Sequence, residues 1–172
     1  MIRYSNFTPL LKTPDNQKNL VNKLVDTDYT RLENLLESSR WRSADEETNS
    51  IILKITNRVD VGWLREEDFT AISCFDLETI DELWANHSQG HFGFTVQSQI
   101  WKTVGEDYAK FSNTVGWRLN YEWQKYSQLK FNLEAPPGHL PAAPFYNLGN
   151  EIAIGWAASL SPKLVDCLDE SF

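Results

Sequence analysis

Three sets of side chains in this chain of 172 residues have types and spacings that could do chemistry. His87 and His91 stand at i and i+4, the separation of paired metal ligands on one helix face. Gly90 interrupts a helix between them and no third ligand is evident nearby, which favours structural histidines over a metal site. Asp76, Glu78, Asp81 and Glu82 put carboxylates at helical spacings that acid–base catalysis could use, yet a solvated helix face explains them without it. The third set is the densest: Trp117, Arg118, Tyr121, Trp123, Lys125, Tyr126, Lys130 and Phe131 mix aromatic rings with cations in one segment of weak helical periodicity. Broad rings suit either a permanent core or a flat ligand. No nucleophile, phosphate loop or metal constellation accompanies them, so an enzyme is the least favoured class.

Composition narrows the remaining classes. A 41% hydrophobic chain of this length is expected to form one domain with a real core, and seven Trp residues are unusually many. A net charge of −8 opposes general binding to nucleic acid, which rests on many Lys and Arg contacts to phosphates. Cys74 and Cys167 lie far apart without metal-ligand spacing; they suggest neither a disulfide scaffold nor a zinc site, and a reducing compartment is the expectation. No leader pattern opens the chain and no run has the length to span a bilayer, so a soluble protein is expected, cytoplasmic or already stripped of a transit peptide.

The elements that must position these residues follow from apolar spacing. Met1 to Asp28 is a lead-in, broken by Pro9 and Pro14, with a short helical candidate at Asn16–Val25. Thr30 and Glu33 have capping-box spacing ahead of a Leu32, Leu35 and Leu36 stripe, predicting a helix from about Thr30 to Ser39. Ser43 and Glu46 repeat the pattern before Ile51, Ile52 and Ile55, predicting a second helix to about Thr56, with Trp41 as packing at the hinge. Asp45 and Thr48 read as helix-start chemistry and local hydrogen bonding. Arg58 to Phe69 breaks the period and reads as a loop ending in a helical turn. Asp76 to Trp101 holds two helical patterns about a Gly90-x-x-Gly93 corner and forms the expected centre of the core. A short helix is expected at Glu106–Asn113, then the aromatic segment, and a turn-rich run ending at Pro141.

Several of these stretches carry a family resemblance. The runs are Thr79-Ile80-Asp81-x-Leu83-Trp84, His87-Ser88-x-Gly90-x-Phe92-Gly93-Phe94-x-Val96-Gln97 and Ile100-Trp101. Trp41-x-x-Ala44-Asp45-x-x-Thr48 precedes them, and Val115-Gly116-Trp117-Arg118 and Ala135-Pro136-x-Gly138-His139-Leu140-Pro141 follow. Together they resemble the tetrapyrrole-binding domain of the Genomes Uncoupled Four family, in order, from roughly Tyr29 to Pro141. The resemblance implies a mainly α, single compact helical domain whose long aromatic loops form a tetrapyrrole cleft. Residues 1–28 would be a lead-in, 29–141 the porphyrin-binding domain and 142–172 a divergent tail. Too few residues precede Tyr29 for the additional helical domain that better-known members carry, so its absence is expected.

By the same resemblance, the function is non-catalytic tetrapyrrole binding, with protoporphyrin IX or magnesium protoporphyrin IX as ligand. The best-known members stimulate magnesium chelatase in chlorophyll synthesis, which makes that enzyme's large porphyrin-binding subunit the expected partner. A cytoplasmic setting, or the stroma for a plastid-borne protein, with peripheral membrane association, is implied. A porphyrin is a flat apolar plate with two carboxylates on one edge and requires flat walls with a few cations at the rim. The expected cleft lies between Arg58–Phe69 and Trp117–Phe131. Its walls would be Trp63, Leu64, Trp117, Trp123, Tyr126 and Phe131, and its carboxylate contacts Arg65, Arg118 or Lys125. Trp63 and Leu64 also fit a role covering the core edge.

Each fully buried ring removes about 150–250 Å² from water, roughly 5 kcal/mol gross, while micromolar affinity requires about 8 kcal/mol net. Several partly covered rings therefore suffice without an axial metal ligand. Two alternatives stand beside this reading. Tyr126 occupies a position where close relatives are expected to have Trp, which keeps open a bilin-binding carrier, chaperone or sensor with the same fold. A ligand-free protein-interaction module is the other. The tail departs from the family pattern, since Lys163 is its only basic residue and Ile152, Ile154, Trp156 and Leu160 make an apolar element instead.

Overall fold

The computed structural model describes residues 27–146 together with Lys163, Leu164, Asp166 and Cys167. The Asn16–Val25 helix and the Ile152 to Leu160 tail element lie outside the described residues. Helices dominate, as expected for the mainly α class. In order they are α1 (Thr30–Glu37), α2 (Trp41–Ile55), a 3-10 segment (Glu66–Ala71), α3 (Cys74–Ser88), α4 (Phe94–Thr103) and α5 (Tyr108–Thr114). A two-stranded ribbon follows, β1 (Arg118–Leu119) and β2 (Glu122–Trp123), and then 3-10 turns at Tyr126–Gln128 and Ala143–Phe145.

The α1 stripe packs as its spacing predicts: Leu32, Leu35 and Leu36 are buried against α2 and α3. Its first turn is capped by Asp28, whose carboxylate accepts from Thr30 N at 2.9 Å, rather than by Thr30 itself. Helix α2 begins at Trp41, before the expected Ser43, so Trp41 is a helical residue and not a hinge. Its indole stacks on Trp84 (centroids 6.1 Å apart) and meets the edge of Phe92 (5.5 Å). Ser73 caps α3 by accepting from Asp76 N at 3.1 Å.

The Gly90–Gly93 corner turns the chain into α4, as the sequence suggests. Gly93 stands at the N-cap of α4 and has no side chain to offer, so Asp81 of α3 supplies the cap, accepting from Thr95 N at 2.9 Å and from the Thr95 hydroxyl. Asp81 is therefore a structural acceptor rather than part of a free acidic face. With φ +127° and a hypothetical Cβ only 2.6 Å from Asp81 Oδ1, Gly93 leaves no room for alanine. Gly93→Ala is expected to cost about 2–3 kcal/mol by straining the turn and displacing the borrowed cap. Urea unfolding with an unchanged midpoint would remove this account of the corner.

A second layer ties residues 138–141 onto this corner. Gly93 N donates to Leu140 O (3.0 Å), and Gln97, fully buried, sends Nε2 to the carbonyls of Gly138 and Pro141 (2.9 Å each). Phe145 is the hub beyond it, packed on Phe69 (6.0 Å), Phe94 (6.4 Å) and Trp117 (5.5 Å). The core thus runs past Pro141 to Tyr146. The structure also corrects the reading of the cysteines. Cys74 and Cys167 form a disulfide with Cα atoms 5.2 Å apart, bridging 93 residues. Separation along the chain carried no sign of this, because only the fold brings Cys167 onto the start of α3. The argument for a reducing compartment loses its basis.

Candidate functional site

Two exposed apolar surfaces rise from the helical body, and both carry an arginine on an exposed tryptophan. The first is the connection after α2, where Val59, Val61 and Trp63 are exposed and the Arg58 guanidinium lies 5.0 Å from the Trp63 ring centre. Arg58 is fixed there by Asp68, Nε to Oδ2 at 3.2 Å, and by the Trp63 carbonyl. Asp68 also holds Arg65, whose NH2 lies 2.8 Å from Oδ1, and accepts from the Arg65 backbone N–H at 2.7 Å. The Arg65 guanidinium holds the Asp68 carboxyl below its ordinary range. Glu67 takes a further nitrogen of Arg65 at 2.7 Å, so Arg65 enters any cleft already paired.

The second surface is the ribbon, a short hairpin within the segment expected to be a long aromatic loop. Arg118 faces Trp123 and Leu119 faces Glu122 across an antiparallel pair. The turn residues Asn120 (φ 51°) and Tyr121 (φ 68°) are both left-handed, the geometry of a tight hairpin, without the glycine that usually marks one. Leu119, Tyr121 and Trp123 are exposed, and the Arg118 guanidinium lies 5.5 and 5.8 Å from the Tyr121 and Trp123 rings. Arg118 Nε is buried and without a hydrogen-bond partner among the described residues. Behind Trp123 stands Tyr108 (5.5 Å), whose buried hydroxyl also lacks a partner and whose pKa burial pushes up to about 12. Tyr108 of α5 thus backs the exposed Trp123 ring.

The remaining expected site residues divide by burial. Leu64 (4% exposed) and Trp117 (0%) lie in the core; the Trp117 indole N–H donates to His139 O at 2.9 Å. Tyr126 and Phe131 are partly buried and pack edge to face at 5.4 Å, with Arg42 over Phe131 at 4.7 Å. Lys125 is exposed, its backbone N–H donating to Gln128 Oε1 at 2.8 Å. The two surfaces share a root, since Phe69 below the first and Trp117 below the second both pack on Phe145. A groove of about 680 Å³ lies elsewhere, along α1 and the start of α2, lined by Arg31, Asn34, Ser43, Glu46 and Glu47. Its polar lining has no flat apolar wall.

His91 and His139 are held by backbone groups and are structural. His91 Nε2–H donates to Ala135 O at 2.7 Å. His139 accepts from Lys130 N at Nε2 (3.2 Å), which leaves Nδ1–H to donate to Val115 O (2.5 Å), one defined neutral tautomer. Burial lowers its pKa in the same sense.

Sequence reasoning missed the polar anchor of the second surface. Asp45 and Thr48, read as local helix chemistry, are fully buried and reach across the molecule. Thr48 accepts from the Trp84 indole at 3.0 Å. Asp45 accepts from the Tyr126 hydroxyl (2.8 Å), Ala142 N (2.6 Å) and Ala143 N (3.0 Å), tying the segment after the ribbon and the Phe145 turn to α2. Burial pushes its carboxyl up to about 7, against the pull of those three donors. Because the folded pKa lies above that of the unfolded chain, the folded state binds more protons between about pH 4 and 7. The contribution of Asp45 is full at the acid end and is lost as pH rises through about 7. Isothermal denaturation is expected to show about 2–4 kcal/mol of this dependence. It should be absent from an Asp45→Ala variant and would be contradicted by parallel pH profiles of the two proteins.

Comparison with known proteins agrees with this architecture. Residues 22–152 match the family described as GUN4-like. The tetrapyrrole-binding protein of the Arabidopsis thaliana chloroplast is 37% identical over 127 residues, covering 67% of this chain and 48% of that one. The ligand-free structure of Arabidopsis thaliana GUN4 superposes with a TM-score of 0.62 at 38% identity, over 67% of this chain and 84% of that one. GUN4 from Chlamydomonas reinhardtii gives 0.63 at 31% identity, over 69% and 81%. The chain spans about half the length of the curated relatives it matches.

Proposed function

The chain belongs to the GUN4-like family, and from that membership and its surface we propose that it is a non-catalytic tetrapyrrole-binding protein. The observation that carries the reading is the repeated pairing of an exposed tryptophan with an arginine, Trp63 with Arg58 and Trp123 with Arg118. A tetrapyrrole presents two broad apolar faces and two carboxylates at one edge. Flat rings cover the faces, and a guanidinium can bond a carboxylate through two N–H groups at once. Arg118, whose guanidinium lies beside the exposed Tyr121 and Trp123 rings, is the first carboxylate contact; Arg65 and Lys125 are outer ones. Leu64 and Trp117 support the walls from the core, while Tyr126 and Phe131 line the ribbon's flank.

Protoporphyrin IX or magnesium protoporphyrin IX is the proposed ligand, and the large porphyrin-binding subunit of magnesium chelatase the proposed partner, in a plastid or cyanobacterial setting. The name of the Arabidopsis relative supports the ligand class. Titrating the full chain with protoporphyrin IX, magnesium protoporphyrin IX and a bilin in parallel, read by absorbance, tests this. Saturable binding that favours a porphyrin supports the reading. Preference for the bilin moves it to an open-chain carrier, and failure of all three against folded protein overturns it. Stimulation of reconstituted chelatase by the protein, or its lack, then decides the partner.

A further inference from the structure

We propose that Cys74 and Cys167 form a reversible thiol–disulfide exchange site whose oxidation state decides whether the C-terminal turn stays docked beside the first surface. The turn places Lys163 against the Glu66–Ala71 segment and Cys167 against the first turn of α3, with Leu164 buried in the core cluster. Leu164 and Cys167 are each 1% exposed, and Lys163 Nζ donates to Thr70 O at 2.9 Å. The same 3-10 segment holds Asp68, which grips Arg58 and Arg65. Without the covalent bond, the noncovalent contacts of the turn, among them the buried Leu164 and the Lys163 hydrogen bond, must offset the entropy of ordering it. With it, the turn cannot diffuse away. The disulfide is therefore a covalent hold on a segment that bonds the same 3-10 segment that carries Asp68.

The chemistry of release is set by which sulfur a reductant can reach. Cys74 is partly exposed, whereas Cys167 is buried. A thiolate of a dithiol reductant attacks Cys74 Sγ; the Cys74–Cys167 bond breaks and Cys167 leaves as a thiolate that takes up a proton. The second thiolate of the reductant attacks the reductant's own sulfur in the mixed disulfide and expels Cys74. Both electrons come from the dithiol, which ends as a cyclic disulfide, and the protein ends as two thiols. Cys74 is the first residue of α3, where the positive end of the helix dipole favours a departing thiolate.

The test uses the full chain equilibrated in buffers of reduced and oxidised dithiothreitol, with thiols counted by maleimide mass shift and amide hydrogen exchange read by mass spectrometry. A single reversible two-electron transition is expected. Exchange at Lys163, Leu164 and Cys167 should speed up at least tenfold on reduction, while α1 and α2 stay unchanged. Cys167→Ser should show the fast pattern with or without reductant. Two free thiols in oxidised buffer, or equal exchange of the turn in both states, would overturn the proposal. The associated change in pigment affinity rests on the binding function proposed above; the exchange readout does not, so the two ideas can fail separately.

Discussion

Asp45→Ala is expected to destabilise the fold by about 3–5 kcal/mol, lowering the melting temperature by roughly 10 °C or more. The reason is the number of groups that depend on one carboxylate. Ala142 N, Ala143 N and the Tyr126 hydroxyl all donate to it inside the protein. Removing the acceptor leaves buried donors without partners, each costing about 1–3 kcal/mol. Relief of the buried charge offsets part of this, so the loss should be larger at pH 5 than at pH 8, where the wild-type carboxylate is ionised at its own cost. The effect should also spread to the Phe145 hub, since the Ala143–Phe145 turn loses its tether to α2. A melting temperature within a degree or two of wild type would show that water or a shifted backbone replaces the carboxylate, and would remove Asp45 as the anchor.

Trp123→Ala is expected to weaken tetrapyrrole binding about 30-fold while leaving helical content intact. Trp123 is 44% exposed, which leaves on the order of 100 Å² of ring to be covered by a ligand, or roughly 2 kcal/mol. The loss is confined to binding because the ring packs on Tyr108 and under Arg118 at the surface, outside the Phe145 hub. Arg118→Gln tests the other half of the pair and should cost about 10- to 100-fold by removing a charge-assisted contact. Tyr126→Ala is a poorer probe, because its hydroxyl serves Asp45 and the variant would mix folding with binding. Unchanged affinity in both Trp123→Ala and Arg118→Gln would move the site away from the ribbon.

The parts of this protein that were legible in the sequence are those written at short range. Leucines at i, i+3 and i+4 gave α1 its buried face, and the glycine corner marked the passage from α3 to α4 because only a turn needs those residues there. The family motifs gave the fold class. What sequence reasoning could not supply was pairing at long range. Asp45 looks like an ordinary first-turn acid until Ala142, 97 positions away, is seen to donate to it. Cys74 and Cys167 likewise look unrelated until the C-terminal turn folds back. The ribbon was hidden for a local reason: its turn uses Asn120 and Tyr121 in left-handed conformations that glycine would have advertised, and its strands are two residues each, too short for a period to show. Burial separated the expected walls in a similar way, because a tryptophan within the core, such as Trp117, and one at the surface, such as Trp123, have the same letter.

The central claim is that a tetrapyrrole lies against the two tryptophan–arginine surfaces. Amide hydrogen exchange of the full chain with and without saturating protoporphyrin IX tests it most directly. Slower exchange confined to peptides containing residues 58–65 and 117–126 is the expected result. Protection along α1 and the start of α2 instead, or an unchanged pattern at a pigment concentration that saturates tryptophan quenching, would contradict it.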